Sequence, residues 1–218
     1  MTPGPYALLT GSGKDATLAL HRGRAEGLDV TIGASLFDAA SGRIAFHGTP
    51  AGLVRAQHEA LGLESVVRPV GPEGFDAAFA ALLAHLVDRG VRGVVLGNIH
   101  LEEIRAWYGS RLAAADLEHV EPLWGERPAD LAREVVDLGY SAVVVSVMLA
   151  GGDPEWLGRT LDHALVAEIE AFGADPCGER GEYHTFVHAG PLFRASVSFR
   201  SGPTLEMKGH RLLELLEP

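Results

Sequence analysis

Leu9-Thr10-Gly11-Ser12-Gly13-Lys14-Asp15-Ala16 ends an apolar stretch, Tyr6 to Thr10, and opens a segment with helical periodicity. A strand that turns on glycines into a helix N-terminus makes an anion site. Backbone N–H groups point outward there, the helix dipole adds positive potential, and glycine lets a phosphate approach the main chain. The run therefore predicts a phosphate-binding loop and an α/β fold. A Walker A loop needs a glycine six positions before its lysine and Ser or Thr directly after it. Leu8 and Asp15 hold those places, which excludes it. The dinucleotide fingerprint fits better, because Gly11-x-Gly13-x-x-Ala16 matches G-x-G-x-x-G/A and Asp38 lies about 20 residues on. Against it, Lys14-Asp15 stands where such folds pack small or apolar residues. The loop by itself also allows a plain strand-to-helix turn capped by Ser12.

The 218 residues suffice for one large domain or two small ones. A formal net charge of −11 argues against a nucleic-acid backbone as the main partner. The one cysteine, Cys177, forbids an intrachain disulfide and fits a reducing compartment. Met1 to Pro5 lacks the charged flank and apolar core of a signal peptide, and no apolar run approaches the ~20 residues that span a bilayer. The expectation is a cytoplasmic protein away from membranes. The 10 histidines are scattered and no cysteine cluster exists, so a structural zinc site is not expected.

Strands and helices alternate through the first half. Strands are expected at 6–10, 30–37, 66–70 and 93–97, with helices at 14–27, from Thr49-Pro50 to Leu63, at 75–89 and at 101–115. Thr49 reads as a cap, with Pro50 at the first helical position. Arg43 to His47 reads as half of a small hairpin, and Phe75, Phe79, Leu82, Leu83 and Leu86 as the inner face of their helix. The pattern implies a Rossmann-like, mostly parallel sheet with helices on both faces and ligands at the carboxyl ends of its strands. Gly97-Asn98-Ile99-His100 then shares a rim with the glycine loop. Beyond about residue 116 the texture changes. A helix at 128–138, a buried strand at 142–149 and a helix at 161–172 precede a polar, glycine-punctuated segment, Asp175 to Gly190, read as a functional loop. Strands follow near 193–199 and 204–208. The expected division is residues 1–116 as a nucleotide-binding domain and 117–218 as a smaller α+β substrate-recognition domain.

With both halves in view, the chain resembles the diphthine–ammonia ligase family, a branch of the ATP pyrophosphatases within the adenine nucleotide alpha-hydrolase superfamily. Ser12-Gly13-Lys14-Asp15 matches the centre of that family's pyrophosphate loop, Ser-(Ser/Gly)-Gly-Lys-Asp-Ser, while Gly11 and Ala16 replace its outer serines. Gly97 to Arg105 resembles Gly-Asp-x-x-Leu-Glu-x-x-Arg, with Asn98 for the Asp. Pro122-Leu123-Trp124-Gly125 and Trp156-Leu157-Gly158-Arg159 match two further segments. Cys177-Gly178-Glu179-Arg180-Gly181-Glu182-Tyr183-His184-Thr185-Phe186 matches Cys-Gly-Glu-x-Gly-Glu-(Phe/Tyr)-x-Thr.

The resemblance implies ATP-dependent amide formation. A substrate carboxylate attacks the α-phosphate, pyrophosphate leaves, and ammonia displaces AMP from the acyl-adenylate. ATP and Mg²⁺ are the implied cofactors. The carboxylate belongs to a modified histidine of an elongation factor or to a small acid. Thr10, Gly11, Ser12, Gly13, Lys14, Asp15, Ala16, Gly97 and Asn98 would bind nucleotide, with Asp15 on magnesium. Lys14, Glu179 and Glu182 would be catalytic, the two glutamates as neighbouring carboxylates whose repulsion raises one pKa. Arg105, Tyr183, His184 and Thr185 would contact substrate; Arg105 could instead pair with Glu102 or Glu103 along its helix. Trp124 and Trp156 read as core anchors, Cys177 as a buried small residue, and a homodimer as the default assembly. The alternatives are a nucleotide sensor on the same fold and a NAD(P)-dependent oxidoreductase.

Overall fold

The computed structural model describes residues 4–218, so Met1 to Pro3 of the N-terminal segment read for a targeting signal lie outside the described residues. Strands β1 (Tyr6–Leu9), β2 (Val30–Asp38), β3 (Glu64–Val70), β4 (Gly93–Val95) and β5 (Glu118–Val120) form a parallel sheet of order β3-β2-β1-β4-β5. Between them run helices α1 (Lys14–Ala25), α2 (Ala51–Ala60), α3 (Phe75–Asp88) and α4 (Glu102–Ala114). The order reverses between β1 and β4. The loops leaving those two strands therefore flank the crevice where such sheets bind ligands.

Pleating explains why both faces are covered. On β1, Tyr6 and Leu8 pack with Leu18 and Leu20 of α1, while Ala7 joins Phe79 and Leu82 of α3 and Leu112 of α4 on the other side. Phe75 departs from its expected inner position. It sits in the first turn of α3, exposed, and stacks on Phe79 and Trp107.

The second sheet is antiparallel, of order β7-β6-β9-β8, with β6 at Ser141–Met148, β7 at Tyr183–Ala189, β8 at Arg200–Met207 and β9 at His210–Leu216. The unbroken apolar run of β6 follows from its central place. Ala142 and Val144 enter the core shared with α1, whereas Val143 and Val145 pack with Leu53 of α2 and Phe186 of β7. Helices α5 (Pro128–Asp137) and α6 (His163–Phe172) cover the first of these faces. Asp162 caps α6 by accepting from the Leu165 N–H at 2.7 Å, and Gly173 ends it at φ +87°.

Several local expectations are corrected. Strand β7 occupies positions 183–189, inside the segment expected to be loop; no strand forms at 193–199, the strand expected at 204–208 is the end of the longer β8, and β9 was not expected. Arg43 makes isolated bridges to Asp38 and Pro50 rather than a hairpin strand. Helix α2 starts at Ala51 with Pro50 as its cap residue; the fully buried Thr49 hydroxyl serves the glycine loop, 3.2 Å from Ser12 Oγ.

Among the described residues, no helix is long and apolar enough to cross a membrane.

Candidate active site

The glycine loop is built by tertiary contacts on both sides. Ser12 takes a left-handed backbone at φ +78°, which turns the chain into α1, and its N–H donates to Thr10 Oγ1 at 2.8 Å. The Ser12 carbonyl accepts from the Val187 N–H and from Gln57 Nε2, each at 3.0 Å. Gln57 also donates to the Val187 carbonyl at 2.6 Å, fastening β7 to the loop. The helix cap is Gly13 without a side-chain bond, so Ser12 does not cap α1. The Lys14 N–H donates to Thr185 Oγ1 at 3.0 Å, which joins the start of α1 to β7 across 171 positions of sequence.

The second loop meets the first at van der Waals limits. A Cβ on Gly97 would lie 2.6 Å from the Ala16 nitrogen, so only glycine admits this approach. Asn98 donates to Glu121 Oε1 at 2.7 Å. Glu121, 3% exposed, also lies 2.8 Å from Arg105 Nε and 2.9 Å from His119 Nε2. Arg105 therefore pairs with Glu121 rather than with Glu102 or Glu103, and its guanidinium lies over Trp124 at 4.2 Å. Trp124 is half-buried beside it rather than a core anchor, whereas Trp156 is buried as expected.

The segment from Asp175 to Glu182 is ordered by its own backbone bonds. Asp175 accepts from the Cys177 N–H at 2.8 Å and lies 2.6 Å from His100 Nε2. Glu182 accepts from the Asp175 N–H at 3.2 Å and the Arg180 N–H at 3.1 Å. Its carboxylate is thus absorbed by its own loop and is not among the cavity-lining residues, unlike the expectation that it stands beside Glu179 as a second reactive acid.

Glu179 does line the cavity. It accepts from the Ile99 N–H at 3.1 Å, and its pKa is pushed up to about 7 by burial first and by the Asp15 charge second. The neighbour that raises it is Asp15, not Glu182.

These residues enclose a cavity of about 390 Å³ lined by Gly13, Lys14, Asp15, Asn98, Glu179, Tyr183, His184 and Thr185. Lys14 is 2% exposed. Its ammonium donates to the Cys177 carbonyl and to Asp15 Oδ2 at 3.0 Å, and lies 4.7 Å from the centre of the Tyr183 ring. Burial pulls its pKa down, but Asp15 and its other partners outweigh this and hold it charged. Tyr183 donates to the Pro176 carbonyl at 2.6 Å. Cys177 is buried, its thiol donating to the Pro128 carbonyl and its pKa raised by burial, which disfavours the thiolate.

A second cavity of about 400 Å³ opens at the ends of β1 and β2, lined by Leu9, Leu36, Ile44 and Phe75. Phe46, His47, Tyr108 and His184 line both. Phe46 and His47 were not anticipated from the sequence, because their segment reads as half of a hairpin and only the fold carries it over the glycine loop. Asp38, which the dinucleotide reading needs for a ribose, closes its own turn by accepting from the Ser41 N–H at 2.7 Å.

The sheet order and the glycine loop at its switch point place the chain among the Rossmann-like α/β proteins. Residues 5–112 match the diphthamide synthase N-terminal domain and residues 127–209 the diphthamide synthase C-terminal domain. The chain belongs to the diphthamide synthase family. It is 32% identical over 111 residues to the diphthine–ammonia ligase of Homo sapiens, covering 49% of this chain and 42% of that protein. It is 31% identical over 121 residues to the one of Danio rerio, covering 53% and 48%. The chain thus spans less than half the length of these relatives in the matched region.

Proposed function

We propose that this protein is an ATP-dependent, AMP-forming carboxylate–ammonia ligase of the diphthine–ammonia ligase type. The observation that carries the reading is the junction of the glycine loop with the segment 177–185, held by the 3.0 Å bond from the Lys14 N–H to Thr185, around one polar cavity. The apolar cavity suits an adenine base and the polar one its phosphates. The N–H groups of Gly13 and Asp15 and the Lys14 ammonium then face the charge that builds on the departing diphosphate, where preorganised donors contribute several kcal/mol.

The Asp15 Oδ1 oxygen is buried without a hydrogen-bond partner, which fits a hydrated magnesium ion held by one carboxylate. Among the described residues no cluster of three His, Cys, Asp or Glu offers a full ligand set, so waters and phosphate oxygens would complete the shell. Bound there, magnesium would supply neutralising charge to the phosphates.

In the reaction, a substrate carboxylate oxygen bonds to the α-phosphorus and diphosphate leaves. Ammonia then bonds to the acyl carbon and AMP leaves. Glu179, poised near neutrality, takes the proton that ammonium must shed before its nitrogen can attack. Glu182 becomes a positioning residue for the loop that carries Glu179, and Glu121 does the same for Asn98 and Arg105. Residues 1–116 serve the nucleotide and 117–218 the choice of carboxylate, whether on a protein side chain or a small acid. The test is incubation with Mg-ATP, ammonium and candidate carboxylates. AMP and diphosphate in equal amounts, dependent on the carboxylate, support the reading; ATP binding with no AMP from any carboxylate assigns the site to nucleotide sensing.

A further inference from the structure

We propose that His47 is a phosphate-contacting residue of the nucleotide site, closing on the ligand's phosphate chain against the glycine loop. This rests on the nucleotide reading above and adds to it a residue outside the motifs quoted from the sequence. His47 belongs to the turn between β2 and α2, and its ring fills the space that side chains on the loop would occupy. A Cβ on Gly11 would lie 2.8 Å from His47 Nε2, and one on Gly13 would lie 3.0 Å from its Cε1. The ring lines both cavities, so a ligand with its base in one and its phosphates in the other must pass it.

The chemistry of the ring follows from its partners. Its Nδ1 lies 3.3 Å from the Thr185 carbonyl, which can only accept, so Nδ1 carries the hydrogen. In the neutral ring Nε2 is then a bare acceptor beside Gly11. Burial keeps the ring neutral, with its pKa pushed down to about 4, and the Lys14 charge adds to the effect. His184 stacks on it at 4.5 Å between ring centres, and His210 lies beyond His184 at 6.2 Å. The other titratable groups lining the shared cavity are Lys14, Asp15, Tyr108, Cys177, Glu179 and Tyr183.

Neither neighbouring histidine stabilises a charge on His47. A polyphosphate does. An anion brought into a site shielded from water favours the protonated form of the base beside it. Nε2 then takes one proton from solvent and donates it to a phosphate oxygen, while Nδ1–H stays on Thr185. Ligand binding and proton uptake become one event. His47 is in this sense a counter-charge that exists only when the phosphates are present, and it adds to the fixed cation of Lys14.

The experiment is calorimetric titration of the full chain with Mg-ATP and with adenosine, in buffers of different ionisation enthalpy, for wild type, H47Q and H47F. The expected result is a loss of ATP affinity of tenfold or more in H47F, with adenosine affinity within twofold of wild type. H47Q should recover part of the loss through its amide donor. Proton uptake on ATP binding should be smaller in both variants than in wild type. In unsubstituted protein at pH 6.5, the His47 ring resonance should move from the neutral to the imidazolium position when Mg-ATP is added. ATP affinities unchanged by both substitutions, or a ring that stays neutral in the complex, would overturn the assignment. A wild-type chain that binds neither ATP nor adenosine overturns the nucleotide reading itself, and this assignment with it.

Discussion

Replacing Glu179 by Gln probes the electrostatics of the site directly, because Gln keeps an oxygen for the Ile99 N–H while removing the charge. In the folded protein the Glu179 carboxyl titrates at about 7, against an ordinary value of 4.5, through burial and the neighbouring Asp15 charge. An acid whose folded pKa is raised holds its proton more tightly when folded. Its contribution to stability is greatest below the unfolded value and is lost as pH rises toward 7. At 1.36 kcal/mol per unit, the whole effect is about 3 kcal/mol, of which roughly 2.5 kcal/mol falls between pH 5 and pH 8. Wild type should therefore lose stability relative to Glu179→Gln over that interval, and the variant should be the more stable of the two at pH 8. The assay is urea unfolding of both proteins at pH 5, 6, 7 and 8 with a chelator present, comparing differences at equal m-values. A difference that stays constant across the four pH values would refute the reasoning, since it would mean Glu179 ionises alike in the folded and unfolded chain.

Lys14→Ala should lower triphosphate affinity far more than adenosine affinity, and should cost about 3 kcal/mol of stability because Asp15 and the Cys177 carbonyl lose a buried cation; equal losses for both ligands would remove the lysine from the phosphate site. Thr185→Val keeps the shape but leaves the Lys14 N–H without its acceptor, and should lower the unfolding free energy by about 1–2 kcal/mol in urea titration. Gly97→Ala drives a methyl against backbone atoms of Asp15 and Ala16, which cannot swing aside, and should cost about 2 kcal/mol and weaken ATP binding in the same protein. Glu182→Gln should spare nucleotide affinity, lower turnover and raise the protease sensitivity of residues 175–182, because one of the two backbone N–H groups it accepts from then faces an amide NH2 instead of an acceptor.

The parallel half of the fold was legible in the sequence because each of its elements carries a local signal. Strand β1 is short and apolar, α3 repeats at helical spacing, and glycines mark the loop between β1 and α1. Strand β7 was not, because Tyr183 to Ala189 follows directly on the charged, glycine-punctuated run 175–182, and His184 and His188 interrupt its apolar residues, so that only its pairing with β6 marks it as a strand. The exposed β8 carries no period-2 apolar face, so only its second half was expected as a strand. At the site, the spacing of Gly11, Gly13 and Lys14 announced an anion loop, and the motif from Cys177 to Thr185 announced a partner. Only the folded chain separates Glu179 from Glu182. They stand three positions apart in sequence, yet one faces the cavity and the other turns into its own loop.

What the amino-acid order determined by itself is everything set by neighbours along the chain: the alternation of strands and helices, the glycine turn, and the family to which the motifs point. What tertiary structure alone decided is which charges meet. Asp15 raises Glu179, Glu121 claims Arg105 and Asn98, and His47 covers Gly11, partners separated along the chain by many helical turns or by whole elements. Burial and Coulomb interaction act through space, so their sign and size follow from packing and not from position in the chain.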